Sequence, residues 1–252
     1  MKIQLPKPLH GWREFFGEVG IIVLGVLIAL GAQQLAEDVN SRIEMRRAEA
    51  AMRLELAENN GPQAFARVLI ASCLDRQLVR IRDQAGRAPA EQIRKLTANY
   101  SPPFRTWDSE AWHVVVASNT GTDMGSERLV AWSSPYRMMP SLSAANEREA
   151  QLVIDLRNAL PAASTPTTAD LQSLRRIAAH LRLLNRRFAV TSELLLSRIG
   201  ALDAQVPVRI QRQLVSEARG IYGQCVSAPD LDAPPRAMRL TANLRSPVLD
   251  SQ

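Results

Sequence analysis

From Val19 to Ala36 the chain runs eighteen residues without a charge, around the centre Ile21-Ile22-Val23-Leu24-Gly25-Val26-Leu27-Ile28-Ala29-Leu30. Counted from Phe15, an α-helix of this stretch is about 33 Å long, against ~30 Å for the hydrocarbon layer of a bilayer. A soluble core helix of this composition would need apolar neighbours on every face. No other segment of the chain is apolar enough to provide them. A cleaved signal peptide is the competing reading, because Ala29-Leu30-Gly31 offers a small-x-small site. The leader is long, however, and carries Glu14 and Glu18, whereas signal peptides have short basic leaders. The sequence therefore predicts a retained transmembrane helix over residues 15–36.

Charge around this run predicts its orientation. The short tail, residues 1–14, has Lys2, Lys7 and Arg13, while Glu37 and Asp38 follow the run directly. The positive-inside rule places such a tail in the cytoplasm and the body, residues 37–225, in the periplasm. Arg42, Arg46, Arg47 and Arg53 pull the other way. At the edge of the apolar run, Glu18 either snorkels to the interface or meets a second membrane helix. The small-xxx-small pair Gly25 and Ala29 would permit the close approach such a helix requires.

The stretch from Gly17-Glu18 through Gly25 to Ile28-Ala29-Leu30 resembles the anchor of a large group of uncharacterised bacterial single-pass membrane proteins, known only as domains of unknown function. That anchor reads Gly-Glu, aliphatics, a central Gly, then Ile-Ala-Leu. Gln33-Gln34-Leu35 stands where many members have an Asn-Asn-Trp-like exit. The resemblance implies an inner-membrane anchor carrying a helical body, and it implies no activity.

Beyond the anchor the pattern is helical. Ile43, Ala50, Leu54 and Ala57 suggest a stripe on a helix from Leu35 to about Glu58, with Glu49 and Arg53 as an i,i+4 pair. Asn59-Asn60-Gly61-Pro62 reads as a cap, kink or turn. A second helix, about 63–85, carries Ala71, Leu74, Leu78, Ile81 and Ala85 at alternating spacings of three and four, and Gly86 ends it. Pro89 suits the first position of a short helix. Residues 99–140 are irregular, with Ser109 as an N-cap for a helix holding Trp112 and His113. Ser143 is a cap for a helix to Leu160, and residues 161–168 form a connector. The longest pattern runs from Asp170 to Val206, with Asn185 and Ser192 as polar breaks in its seam. An intrachain helix is its favoured partner. A last helix spans about Val208 to Cys225, and a proline-rich loose tail follows over residues 226–252. Aromatics are only 5% of the chain, and no strand alternates convincingly. The expected fold is all-α: one N-terminal transmembrane helix continuing into long antiparallel arms, with a small irregular insert at about 99–140.

Few residues suggest chemistry. Cys73 and Cys225 are the two cysteines, and in an oxidising periplasm they are candidates for one disulfide; two buried thiols are the alternative. His10, His113 and His180 have no metal-ligand spacing, and no cofactor motif is visible. No nucleophile or acid–base constellation is legible, which points away from an enzyme. Trp107, Trp112, His113, Trp132 and Tyr136 cluster within thirty residues and form a candidate pocket; packing of short helices is the alternative. Six arginines between Asp170 and Val206 face three acids, and six acids between Glu37 and Glu58 face four arginines. Mutual pairing of those two helices is therefore expected, and nucleic-acid binding is not. The partners expected are the lipid bilayer and a protein partner or second copy, with no small-molecule ligand identified. The expected role is a non-enzymatic interaction or scaffold protein; a periplasmic ligand-sensing module is the alternative.

Overall fold

The computed structural model describes residues 12–118, 120–162 and 164–226. Nearly all of the expected tails, 1–14 and 226–252, lies outside this range. The chain divides into two units, Met1–Ala48 and Glu49–Gln252. No strand occurs among the described residues, and the protein is all-α.

The first unit is occupied by helix α1 (Trp12–Leu54), whose last turns belong to the second unit. Its apolar segment is the one helical stretch among the described residues long and apolar enough to cross a membrane. The most apolar eighteen-residue window has a mean hydropathy of 2.1, and none of it is buried by the chain.

The second unit follows a π-helical turn (Glu55–Asn60) with α2 (Gly61–Gln84), α3 (Ala90–Ala98), α4 (Glu110–Ala117), the single turn α5 (Thr120–Asp123), α6 (Ser126–Tyr136), α7 (Met139–Asn158), α8 (Thr168–Ala201) and α9 (Val208–Tyr222). A 3₁₀ turn, Gly223–Cys225, closes the described chain. α2 packs along α8, and α7 and α9 cover the remaining faces of that pair. The core runs through Phe65, Leu69, Leu74, Leu78 and Ile81 of α2, Leu152 and Leu156 of α7, Leu174, Ala178 and Leu181 of α8, and Val215 and Ala218 of α9. The partner of the long seam is thus a helix of the same chain.

Several local expectations are corrected. Residues 59–62 do not break the helix. A π turn carries the backbone through, with Pro62 in the first turn of α2 directly after it. Gly61 is required by close packing: a Cβ there would lie 2.7 Å from the Leu56 carbonyl oxygen and 2.7 Å from Val206 Cγ2. The buried face leading into and through this turn is Met52, Leu56 and Asn60, whereas Ile43 and Leu54 are exposed. The stripe read through Ile43, Ala50, Leu54 and Ala57 is therefore off the packed face. Glu49 pairs with Arg128 at 2.9 Å, and Arg53 lies over the Trp132 ring. α7 starts at Met139, so Ser143 lies inside it. α8 ends at Ala201, before the seam pattern does, and its N-terminus has a complete capping box between Thr167 and Asp170. Its arginines find α2: Arg182 and Arg186 meet Asp75, and Arg175 donates to the Ala85 carbonyl. Asp75, and no acid of the 37–58 helix, is thus the carboxylate they meet among the described ion pairs. Val226, expected in the loose tail, is buried against the core.

Candidate functional site: an aromatic cleft and a buried charge network

The irregular segment between α3 and α4 is held from below by the π turn. Asn60 Nδ2 donates to the Asp108 carbonyl (2.8 Å), and Asp108 N–H donates to Asn60 Oδ1 (2.9 Å). Asn59 Nδ2 donates to the Asp108 carboxylate at 3.1 Å. Ser109 occupies the N-cap of α4 as expected, yet its side chain caps nothing. Glu55 does that work, accepting from Ala111 N–H at 3.1 Å, so a carboxylate sits at the positive end of the helix. Single π turns inside α-helices occur frequently at functional sites. This one aims Glu55, Asn59 and Asn60 at the same short segment.

That anchorage shapes a cleft of about 350 Å³, lined by Trp107, Trp112, His113 and Tyr136 together with Ser109, Arg137, Met139, Pro140 and Ser143. Trp112 and Tyr136 stack with ring centroids 5.6 Å apart and planes 14° apart. The Tyr136 hydroxyl donates to the Met52 carbonyl at 3.3 Å, and burial, helped by the neighbouring Glu55 carboxylate, pushes its pKa up. Four of the five residues in the candidate pocket therefore share one concavity. Trp132 does not line it; its ring is buried beneath Arg53.

Behind the cleft lies a charge network of which the seam pattern marks only Asn185. Arg67 of α2 is fully buried and grips Glu149 of α7 through two bonds of 2.7 Å. It also donates to Asn185 Oδ1 at 2.9 Å, and Asn185 Nδ2 donates to the Ala71 carbonyl at 2.8 Å. The Arg67 guanidinium stands 4.4 Å over the Phe188 ring, whose other neighbour is Trp107 at 6.1 Å. One chain of contacts thus joins the ion pair to the cleft wall. A signal for this network was present: Arg67 continues the Ala71, Leu74, Leu78 stripe one turn back, and Asn146 and Glu149 sit on the α7 stripe of Leu142, Val153 and Leu156.

Cys73 and Cys225 form a disulfide that ties the 3₁₀ turn after α9 to the middle of α2. Around it, Ser72 Oγ (3.0 Å) and Arg76 Nη2 (3.1 Å) both donate to the Cys225 carbonyl. In the apolar run, Gly25 and Ala29 are exposed and one turn apart on α1, and nothing lies within 4 Å of a Cβ built at Gly25. The Glu18 side chain lies outside the described residues. No group of His, Cys, Asp and Glu suited to a metal ion occurs among the described residues.

Comparison with known proteins finds no match among family models, curated proteins or solved structures.

Proposed function

We propose that this chain is a non-enzymatic, membrane-anchored interaction module of the bacterial inner membrane, with its N-terminus in the cytoplasm and its helical body in the periplasm. One combination carries the reading: an apolar helical window that the chain leaves wholly uncovered, and a body closed by a disulfide. Uncovered apolar area of that extent is unfavourable in water and is satisfied by lipid. A protein disulfide persists in oxidising compartments, and the periplasm is one. The charges flanking the run favour the same side for the body. The anchor's resemblance to the single-pass family supports this reading.

Within the membrane, Gly25 and Ala29 present a small-residue face for a partner helix, with Glu18 at the membrane edge. Outside it, the packed α2–α8 pair is a rigid mount for the segment at 99–140. Alkaline carbonate extraction followed by N-terminal sequencing tests the anchor. Retention with an intact start supports it; release into the supernatant, or a mature start at Ala32, overturns it. Photo-crosslinking from Gly25 tests the interaction role. Capture of a protein partner or a second copy supports that role, and recovery of lipid alone removes it.

A ligand-sensing role is the second reading, favoured by the aromatic cleft. Trp112→Ala separates it from simple packing. Under the sensing reading the variant folds and loses a metabolite-dependent thermal shift. Under packing it unfolds globally.

A further inference from the structure

The aromatic cleft has a polarity of its own. Trp112, Tyr136, Met139 and Pro140 give it apolar walls, while His113 and Arg137 bring nitrogen donors to its lining. Arg137 is the one guanidinium there, and no carboxylate lines the cleft. Its backbone is fixed at the C-cap of α6, where its N–H donates to the Ser133 carbonyl at 2.9 Å. Its side chain is exposed and meets no acceptor among the described residues. The acids on neighbouring segments are already engaged: Glu55 accepts from Ala111 N–H, and Asp108 accepts from Asn59. Glu110, the exposed acid that begins α4, does not line the cleft. Met139 and Pro140 begin α7, whose first turn has neither an acid nor a capping side chain. Such a helix start adds partial positive charge to the wall that holds Arg137.

The ring platform is fixed as well. Trp112 lies within 14° of parallel to Tyr136, and Tyr136 is buried and tied to the Met52 carbonyl. Trp112 is only part-buried, which leaves ring surface for a stacked guest. Side chains already held by packing lose little freedom when a guest arrives. At about 350 Å³ the cleft is at the small end of ligand pockets, which run from roughly 300 to 1,000 Å³. That volume suits one ring with a short acidic arm.

The geometry points to a binding site for a small carboxylic acid carrying a single six-membered ring, the ring against Trp112 and the carboxylate on Arg137. A carboxylate matches the planar fork of a guanidinium, and one cation balances one negative charge. The assignment rests on the ligand-sensing reading and names its ligand class.

The experiment uses the full chain in detergent micelles and follows tryptophan fluorescence while phenylacetate, glucuronate or neutral 2-phenylethanol is titrated to millimolar concentration. Phenylacetate and glucuronate share the ring and the carboxylate; the tighter of the two assigns the source as an aryl acid or a sugar acid. The expected result is saturation by at least one of them, with Kd raised about tenfold in Arg137→Gln, the loss expected for a charge-assisted contact. Arg187→Gln, at an exposed arginine of α8, is expected to bind as wild type does. Arg137 is exposed, so its variant tests the site without disturbing the core. Equal Kd in wild type and Arg137→Gln overturns the proposal, as does the absence of saturation with both acids. Saturation by 2-phenylethanol alone also overturns it, while leaving a ligand-sensing role with a neutral guest; no saturation by any of the three removes this ligand class and leaves the cleft as packing.

Discussion

Asn60 and Asp108 exchange two hydrogen bonds, one in each direction, between the π turn and the segment that enters α4. Asn60 is completely buried, and its side-chain amide satisfies both backbone groups of Asp108. The pairing therefore fixes position and completes the hydrogen bonding of a segment without regular structure. Asn60→Ala strips partners from two part-buried backbone groups, and each such loss costs up to ~1–3 kcal/mol. The expected result is an unfolding midpoint in urea shifted by about 2 kcal/mol of stability, with amide exchange accelerated most at residues 105–111. Exchange unchanged in that segment would mean the clamp is incidental.

The Arg67–Glu149 pair makes a stronger prediction. Glu149→Ala leaves a fully buried guanidinium without its carboxylate, at a cost of about 3–5 kcal/mol. Replacing both partners, Arg67→Met with Glu149→Leu, removes the charges together and is expected to recover most of that loss. A double-mutant cycle in urea reads this directly. Additive losses would show that the pair is not coupled.

The Cys73–Cys225 bridge spans 152 residues of sequence. Closing a loop of that size restricts the unfolded chain by ~5 kcal/mol in the entropic account, and measured gains run lower. Cys73→Ser and Cys225→Ser are expected to migrate more slowly than wild type on non-reducing gels and to melt at lower temperature. Wild type under reductant should match them. Identical migration in all forms would show that no bridge exists.

At Gly61 the argument is steric. A Cβ placed 2.7 Å from a backbone oxygen cannot be relieved by a side-chain rotation. Gly61→Ala is expected to cost ~1–3 kcal/mol, although alanine is the better helix former. A calorimetric melt at or above the wild-type Tm would contradict the close approach of α2 to Val206.

The capping box at the start of α8 carries a pH dependence. Hydrogen bonds from Thr167 hold the Asp170 carboxyl below its ordinary 3.8. A lowered native pKa means the ionised form stabilises the fold. That contribution is present at neutral pH and is lost as the pH falls through 3.8 towards the lower native value. Asp170→Asn is expected to destabilise the chain at pH 7, and the gap to wild type should shrink as the pH falls below 3.8. A gap that stays constant with pH would remove Asp170 from the cap.

Much of the fold was legible because seams of three-and-four spacing survive translation into burial. Leu74, Leu78 and Ile81 of α2, and Leu174, Leu181 and Leu195 of α8, all lie on the packed faces. The 37–58 stripe failed for a physical reason: the packed face runs through Met52, Leu56 and Asn60 at four-residue spacing, and Leu54, two residues from Met52, points to the other side of the helix. Asn-Asn-Gly-Pro reads as a stop, yet here Asn60 is satisfied by a distant backbone and Gly61 by proximity to Val206. Four of the five aromatic-cluster residues meet in the cleft, because short helices joined by short loops keep near neighbours together. The charge network was missed because polar residues on an apolar stripe look like breaks in it. Arg67, Asn146, Glu149 and Asn185 become a site only when three helices bring those breaks to one place.

The central claim is that one apolar helix holds this body on the far side of the inner membrane, and paired C-terminal reporters measure that most directly. Fused after the last residue, alkaline phosphatase is expected to be active and green fluorescent protein dark. A fluorescent fusion with inactive phosphatase would place the body in the cytoplasm and contradict the account.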